Sequence, residues 1–137
     1  MLYPAKFDLQ EGGCYVVSFR DIPEALTQGY SIEEAQKQAL DALITAFDFY
    51  FEDNRAIPLP SESLEGEYLI ELPLSTWSKV LLLNTMLEQR VSQSELAKRL
   101  HRTRQEMQRI IDLNHSTKID TVAEALKALG KKPTLSI

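Results

Sequence analysis

Residues 92–110 read SQSELAKRLHRTRQEMQRI, and this stretch decides the fold of the second half of the chain. Ser92 and Thr103 are each followed three residues later by a glutamate. That spacing is typical of a capping box, in which the hydroxyl accepts a backbone N–H of the first helical turn. It predicts two short helices, 93–100 and 104–112, with a tight two-residue connection between them.

The same stretch concentrates positive charge in a chain of 137 residues whose formal net charge is −5. Its charged side chains are Lys98, Arg99, Arg102, Arg104 and Arg109, against Glu95 and Glu106. Residues 1–70 hold 4 basic and 13 acidic side chains, a charge of −9, whereas residues 71–137 hold 11 and 7, a charge of +4. This asymmetry predicts two modules with different partners.

Composition excludes several classes of protein. Cys14 is the only cysteine, so neither an internal disulfide nor a cysteine-based zinc site can form. No apolar run approaches the roughly 18 residues that span a membrane, and the first ten residues lack the layout of a signal peptide. We expect a cytoplasmic protein without a metal, a cofactor or a membrane partner.

The first module, residues 1–72, is predicted to be β-β-β-α-β. Strand-like residues alternate with Gly and Pro breaks before a long helix that Ser31 and Glu34 open as a capping box. The predicted strands are 3–10, 14–20, 25–28 and 67–72, and the predicted helix is 32–54. The second module, residues 73–137, is predicted to be all helix, at 74–90, 93–100, 104–112 and 120–129. The predicted fold class is therefore α+β.

Two short helices joined by a tight turn describe a helix-turn-helix. The residues that form this pattern are Ser92-Gln93-x-Glu95-Leu96-Ala97, then Thr103-Arg104-Gln105, then Met107 and Ile110. They resemble the helix-turn-helix of the phage repressors Cro and cI. His101 departs from that class, which usually has Gly at the turn, and a left-handed conformation costs a non-Gly residue on the order of 1 kcal/mol.

The resemblance implies which side chains contact DNA. Helix 104–112 would enter the major groove and contact bases through Arg104, Gln105 and Arg109, since Arg suits guanine and Gln suits adenine. Phosphate contacts would come from Gln93, Thr103, Ser116, Thr117 and Lys118. Specific readers of operator DNA usually bind as two-fold dimers. We therefore expect a homodimer or a higher oligomer, with the last helix and residues 131–137 as candidate contact surface.

An ordered series of short motifs runs through the first module. They are Tyr3-Pro4-Ala5, Gly12-Gly13-x-Tyr15-Val16-Val17-Ser18-Phe19, Asp21-Ile22-Pro23, Thr27-Gln28-Gly29 and Glu33-Glu34-Ala35. The series resembles the N-terminal domain of HicB antitoxins, with two departures: Arg20 stands where Pro is usual, and Glu24-Ala25 where Gly-Cys is common. A HicB domain followed by a repressor-type helix-turn-helix is a known layout of that family.

The resemblance implies a partner and a fold. HicB proteins neutralise HicA, a small basic ribonuclease toxin, through a partial ribonuclease H-like domain, and they repress their own operon. An acidic surface suits a basic partner because complementary charge steers the encounter. The candidate toxin-binding side chains are Asp8, Glu11, Asp21 and Glu24.

Two other functions remain open at the level of sequence. One is a transcriptional repressor whose first module senses a small ligand. The other, the least favoured, is a nuclease, because a ribonuclease H-like site needs converging carboxylates around metal ions. Asp8, Asp21 and Asp48 would be the carboxylates, but no arrangement in the sequence distinguishes them, so we assign no catalytic residue.

Overall fold

Four antiparallel strands and one long helix form the first half of the chain in the computed structural model, which describes residues 1–137. The strands are β1 (Leu2–Leu9), β2 (Tyr15–Ser18), β3 (Leu26–Gly29) and β4 (Tyr68–Glu71), and the helix is α1 (Ile32–Glu52). Their order across the sheet is β3-β2-β1-β4. The first half of β1 pairs with β4 and its second half pairs with β2.

Helix α1 covers one face of this sheet. Ser31 caps it as predicted, since its Oγ accepts the N–H of Glu34 at 3.0 Å. The buried residues recur at three- and four-residue steps, as one face of a helix requires: Ala35, Ala39, Leu43, Ala46, Phe47 and Tyr50. Alternation along β1 places Tyr3 on the same side, where its ring lies 5.4 Å from that of Phe47.

Gly29 allows the start of α1 to approach the end of β3. A Cβ atom at this position would lie 2.6 Å from the backbone nitrogen of Ala35 and 2.7 Å from its Cα. Both neighbours are backbone atoms of the first helical turn, so neither can move aside cheaply. The close packing of α1 against β3 therefore requires glycine at the end of the Thr27-Gln28-Gly29 motif.

Strand β2 is shorter than the predicted 14–20. Pairing with β1 ends at Ser18, and the side chain of Phe19 turns into the core, where it is 2% exposed. Arg20 leaves the sheet altogether and binds the segment that precedes β4. The residue just beyond the end of the strand is thus held by contacts distant in sequence.

Four helices make up the second half of the chain: α2 (Leu74–Gln89), α3 (Gln93–Leu100), α4 (Arg104–Ile111) and α5 (Ile119–Ala128). The hydroxyls of Ser92 and Thr103 accept the N–H groups of Glu95 and Glu106, each at 3.1 Å. The chain as a whole is α+β. It separates into two compact units, residues 1–53 with 57–72, and residues 73–137 with 54–56.

Burial along α2 does not follow a single apolar stripe. Leu82 is buried there, whereas the apolar residues Trp77, Leu81 and Leu87 are half-buried. Helix α2 packs against both α4 and α5, so it buries more than one stripe. Polar residues of α2 are buried as well. Among them, the hydroxyl of Thr85 donates a hydrogen bond to the carbonyl of Leu81 at 2.7 Å.

Helices α2, α3 and α5 end with the same backbone conformation. The chain turns left-handed at Arg90, His101 and Gly130, with φ of 57°, 54° and 80°. At each of them two backbone N–H groups bond back to the last helical turn, as in the Schellman motif. The predicted turn after α3 thus forms with His101, although only Gly adopts this conformation without cost.

Candidate functional site

The outer face of α4 carries the side chains predicted to contact bases. Met107, Ile110 and Ile111 point into the core of the unit. The opposite face is exposed and presents Arg104, Gln105, Gln108, Arg109 and Asp112. These positions follow one another at steps of one, three and four residues, so they share one helix face.

Ion pairs occupy only part of the positive cluster. Arg99 lies 3.3 Å from Glu95, and Arg102 lies 3.6 Å from Glu106 and 3.5 Å from Glu124. Arg104 and Arg109 are exposed and take part in no ion pair. The two arginines on the outer face of α4 therefore keep their full charge for an external partner.

A shallow depression of about 360 Å³ opens on the same face, lined by Gln105, Gln108, Arg109 and Asp112. Gln108 and Asp112 were not among the predicted site residues. The spacing Arg104–Gln108–Asp112, four residues each time, would have placed them on this face. Amide, guanidinium and carboxylate groups together can donate to and accept from the edges of bases.

The residues predicted to contact phosphates flank this face. Gln93 is the first residue of α3 and is half-buried. Thr103 accepts the N–H of Glu106 with its oxygen, which leaves its hydroxyl proton to donate elsewhere. Ser116, Thr117 and Lys118 lie together in the loop between α4 and α5.

The four acidic residues predicted to bind the toxin do not form one cluster. Asp8 pairs with Val16 in the sheet and lies 3.6 Å from Lys6, and Glu11 is exposed in the turn between β1 and β2. Asp21 and Glu24 lie in the connection between β2 and β3, which leaves β2 at its opposite end. The carboxylate of Asp21 also accepts the N–H and the hydroxyl of Ser61 at 2.9–3.0 Å.

Comparison with known proteins decides the family. A family profile described as HicB_like antitoxin of bacterial toxin-antitoxin system matches residues 2–81. The chain belongs to the HicB family of antitoxins. This confirms the resemblance seen in the sequence, and membership implies a toxin as a partner.

Relatives match over nearly the full length of the chain. "Antitoxin HicB" of Escherichia coli (strain K12) is 54% identical over 135 residues, which cover 98% of either protein. "Antitoxin HicB 2" of Photorhabdus laumondii is 60% identical over 131 residues, 96% of this chain and 92% of the relative. "Antitoxin HicB" of Pseudomonas fluorescens is 40% identical over 129 residues, 93% and 88% of the two proteins.

This HicB-family antitoxin has neither a cluster of metal-ligating side chains nor a helix that could cross a membrane. No group of three or more His, Cys, Asp or Glu side chains is placed to hold a metal ion, and Asp8, Asp21 and Asp48 form no such group. None of the helices combines the length and the hydrophobicity needed to cross a membrane.

The antitoxin contains one buried charge that the sequence analysis missed. Lys79 on α2 is enclosed by the second unit, and its ammonium group donates to backbone carbonyls at the end of α4. Burial lowers the pKa of Lys79, and the negative charge of Asp112 opposes that change. In the sequence this lysine falls inside an apolar helix pattern, where it looks like an exposed charge.

Proposed function

We propose that this antitoxin neutralises a small, mRNA-cleaving HicA-type ribonuclease with residues 1–72 and represses its own operon with residues 73–137. In this proposal the first unit is a partial ribonuclease H-like domain and the second is a Cro/cI-type helix-turn-helix. The protein itself is not an enzyme, takes no cofactor and acts in the cytoplasm.

The outer face of α4 carries the DNA-binding part of the proposal. Capped helices α3 and α4, joined by a left-handed turn, present Arg104, Gln105 and Arg109 to the outside with both guanidinium groups unpaired. Such a helix fits the major groove, where arginine recognises guanine and glutamine recognises adenine. Gln108 lies on the same face, and we add it as a candidate base contact.

Phosphate contacts are proposed for the flanking residues Gln93, Thr103, Ser116, Thr117 and Lys118. They lie at helix starts and in the loop after α4, where Thr103, Ser116 and Lys118 are exposed and the other two are half-buried. Because each neutralised phosphate releases counterions, operator affinity should fall steeply with salt.

The operator complex is proposed to contain a homodimer, or a higher oligomer built from it. A single helix in the major groove reads few bases, and two-fold dimers on inverted half-sites double the number. Leu135 and Ile137 are exposed in the segment after α5, which supplies apolar surface for self-association. Sedimentation at micromolar concentration tests this: a monomer there contradicts the proposal.

The toxin-binding part of the proposal rests on charge. The first unit is strongly acidic, and a ribonuclease toxin that binds RNA needs a basic surface that such a unit can occupy. Asp8, Glu11 and Glu24 are exposed candidates for this contact. Asp21 belongs to the proposed set too, although its carboxylate already accepts two bonds from Ser61.

A pull-down of the tagged full-length protein from cells carrying its native operon tests both halves of the proposal. We expect a small basic protein to co-purify, to be toxic when freed and silent when recombined. The same preparation should protect an inverted repeat in the operon's promoter. Recovery of the antitoxin alone, released from the promoter by a metabolite, would instead support a ligand-responsive repressor.

A further inference from the structure

Lys79 is the most completely buried charged side chain of the second unit. It is 1% exposed, and its Nζ lies 3.2 Å from the carbonyl oxygen of Arg109 and 2.7 Å from that of Asp112. A third bond goes to the carbonyl oxygen of His115. The three protons of the ammonium group thus meet three acceptors, and none is left unsatisfied.

The three carbonyls belong to the end of α4 and to the loop that follows it. The last carbonyls of a helix lack intrahelical partners and carry the negative end of the helix dipole. Arg109 and Asp112 supply two of these groups, and His115 supplies one from the loop. An ammonium group at this point therefore caps the helix and holds the loop against it.

Further bonds fold the loop around the same point. The hydroxyl of Thr117 donates to the carbonyl of Arg109 at 3.3 Å, so that oxygen receives both Lys79 and Thr117. The N–H of Asn114 donates to Oδ1 of Asp112 at 2.9 Å, and the N–H of His115 donates to the Asp112 carbonyl at 3.1 Å. Thr117 is thereby fixed relative to the last turn of α4, and Ser116 and Lys118 are its neighbours in the chain.

We propose that Lys79 is a positioning residue for operator binding: by gathering three carbonyls at the end of α4, it places the loop residues 116–118 where they can contact the DNA backbone beside the helix that enters the groove. The proposal rests on the DNA-binding function proposed above. Lys79 itself is inaccessible and touches no nucleotide. Lys79 therefore acts in DNA recognition from a position outside both the helix-turn-helix and its flanking loop.

Operator affinity of the full-length protein, measured over a range of salt concentrations, tests the proposal. Lys79→Met removes the ammonium group, and Lys37→Met, at an exposed position on α1, removes an equal charge from the first unit. We expect Lys79→Met to bind on the order of tenfold more weakly, with a salt slope smaller by about one per lost phosphate contact. Lys37→Met should keep the affinity and the slope of the wild type.

A role in folding alone predicts a different pattern. Affinity would then fall with the folded fraction, and the salt slope of the remaining binding would stay unchanged. That result, or a Lys79→Met protein that matches Lys37→Met in both readouts, overturns the proposal.

Amide hydrogen exchange in the absence of DNA gives a second readout that does not need an operator. Lys79→Met should lose protection at Asn114 and His115 while the amides of α2 and α5 keep theirs. Lys79→Gln, which keeps two donor protons on a side chain one bond shorter, should fall between the wild type and Lys79→Met in both measurements. If both variants unfold the whole unit, Lys79 stabilises the unit rather than the loop, and the proposal fails.

The two readouts separate this proposal from the function it rests on. A wild type that binds no operator refutes DNA binding, and hydrogen exchange still decides whether Lys79 orders the loop. A wild type that binds, together with an undisturbed loop in Lys79→Met, refutes only the role of Lys79.

Discussion

The guanidinium group of Arg20 lies against the carboxylate of Glu67, 47 residues further along the chain, with Nε 3.1 Å from Oε2 and Nη2 3.0 Å from Oε1. Arg20 also donates to the hydroxyl of Ser61 and to the carbonyl of Glu62. One side chain thus ties the end of β2 to the segment that leads into β4. Arg20 is also the residue that departs from the Pro usual in HicB sequences, and a proline there would have no such bonds to make.

Acid should loosen this connection. The hydrogen bonds from Arg20 and from the backbone of Leu64 lower the pKa of Glu67 below its usual value. The resulting stability is complete above the ordinary glutamate pKa of about 4.3 and is lost as pH falls through the lower pKa of the folded protein. The wild type should therefore exceed Glu67→Gln in free energy of unfolding at neutral pH and converge with it in acid.

Denaturant unfolding at a series of pH values measures this difference. Glu65→Gln changes an exposed glutamate in the same segment and serves as the control. Its free energy of unfolding should follow that of the wild type at every pH. A constant gap between the wild type and Glu67→Gln down to strongly acidic pH would show that the ion pair is not the source of the stability.

Gly29→Ala should destabilise the first unit by about 1–3 kcal/mol, the usual cost of an overpacked site. The added Cβ would meet backbone atoms of Ala35, which cannot rotate away. Thermal unfolding of the full-length protein measures the effect. Gly66→Ala is the control for glycine replacement, because its Cβ would enter open space and the cost comes from a φ of 84° alone, on the order of 1 kcal/mol. An equal or smaller loss at Gly29 would mean that α1 shifts away from β3.

His101→Gly should stabilise the second unit by about 1 kcal/mol, because it removes the strain of a left-handed non-glycine residue. Arg90→Gly should do the same, since Arg90 has a nearly equal φ and the same pair of backbone bonds at the end of α2. Thermal unfolding compares the two. A gain at Arg90 without one at His101 would reveal a stabilising contact of the imidazole.

Arg104→Ala should weaken specific operator binding by about 1–3 kcal/mol and relax the preference at one base position. Arg99→Ala is the matched control, because Arg99 is also an exposed arginine of this unit but lies 3.3 Å from Glu95. It should change affinity much less. Footprinting and titration of both variants on the same promoter measure the difference. Equal losses would show that overall charge, not base recognition, carries the binding.

Local rules were enough to predict where the helices begin. Ser31, Ser92 and Thr103 each accept an N–H three residues ahead, and that bond needs only its own helical turn. The predicted helices α1, α3 and α4 accordingly start at the residues seen in the structure. The turn at His101 also formed as the resemblance implied, because it uses backbone bonds that any residue can make.

Features that depend on distant residues were not predictable in this way. The burial of Lys79 requires carbonyls 30 to 36 positions away, and the side chain of Arg20 contacts a segment more than 40 positions away. The four acidic residues predicted to bind the toxin show the same limit of prediction from local sequence. Sequence places them near strand ends, but only the sheet register shows that β2 separates them into two pairs.

The division of β1 between two partners affects how the first unit can form during synthesis. Leu2 to Ala5 pair only with β4, whose residues 68–71 are made after the whole of α1. Until the ribosome has passed that point, the first half of β1 is an unpaired strand edge of the kind that joins other chains. A nascent antitoxin truncated before residue 68 would therefore lack a finished sheet and expose an aggregation-prone strand.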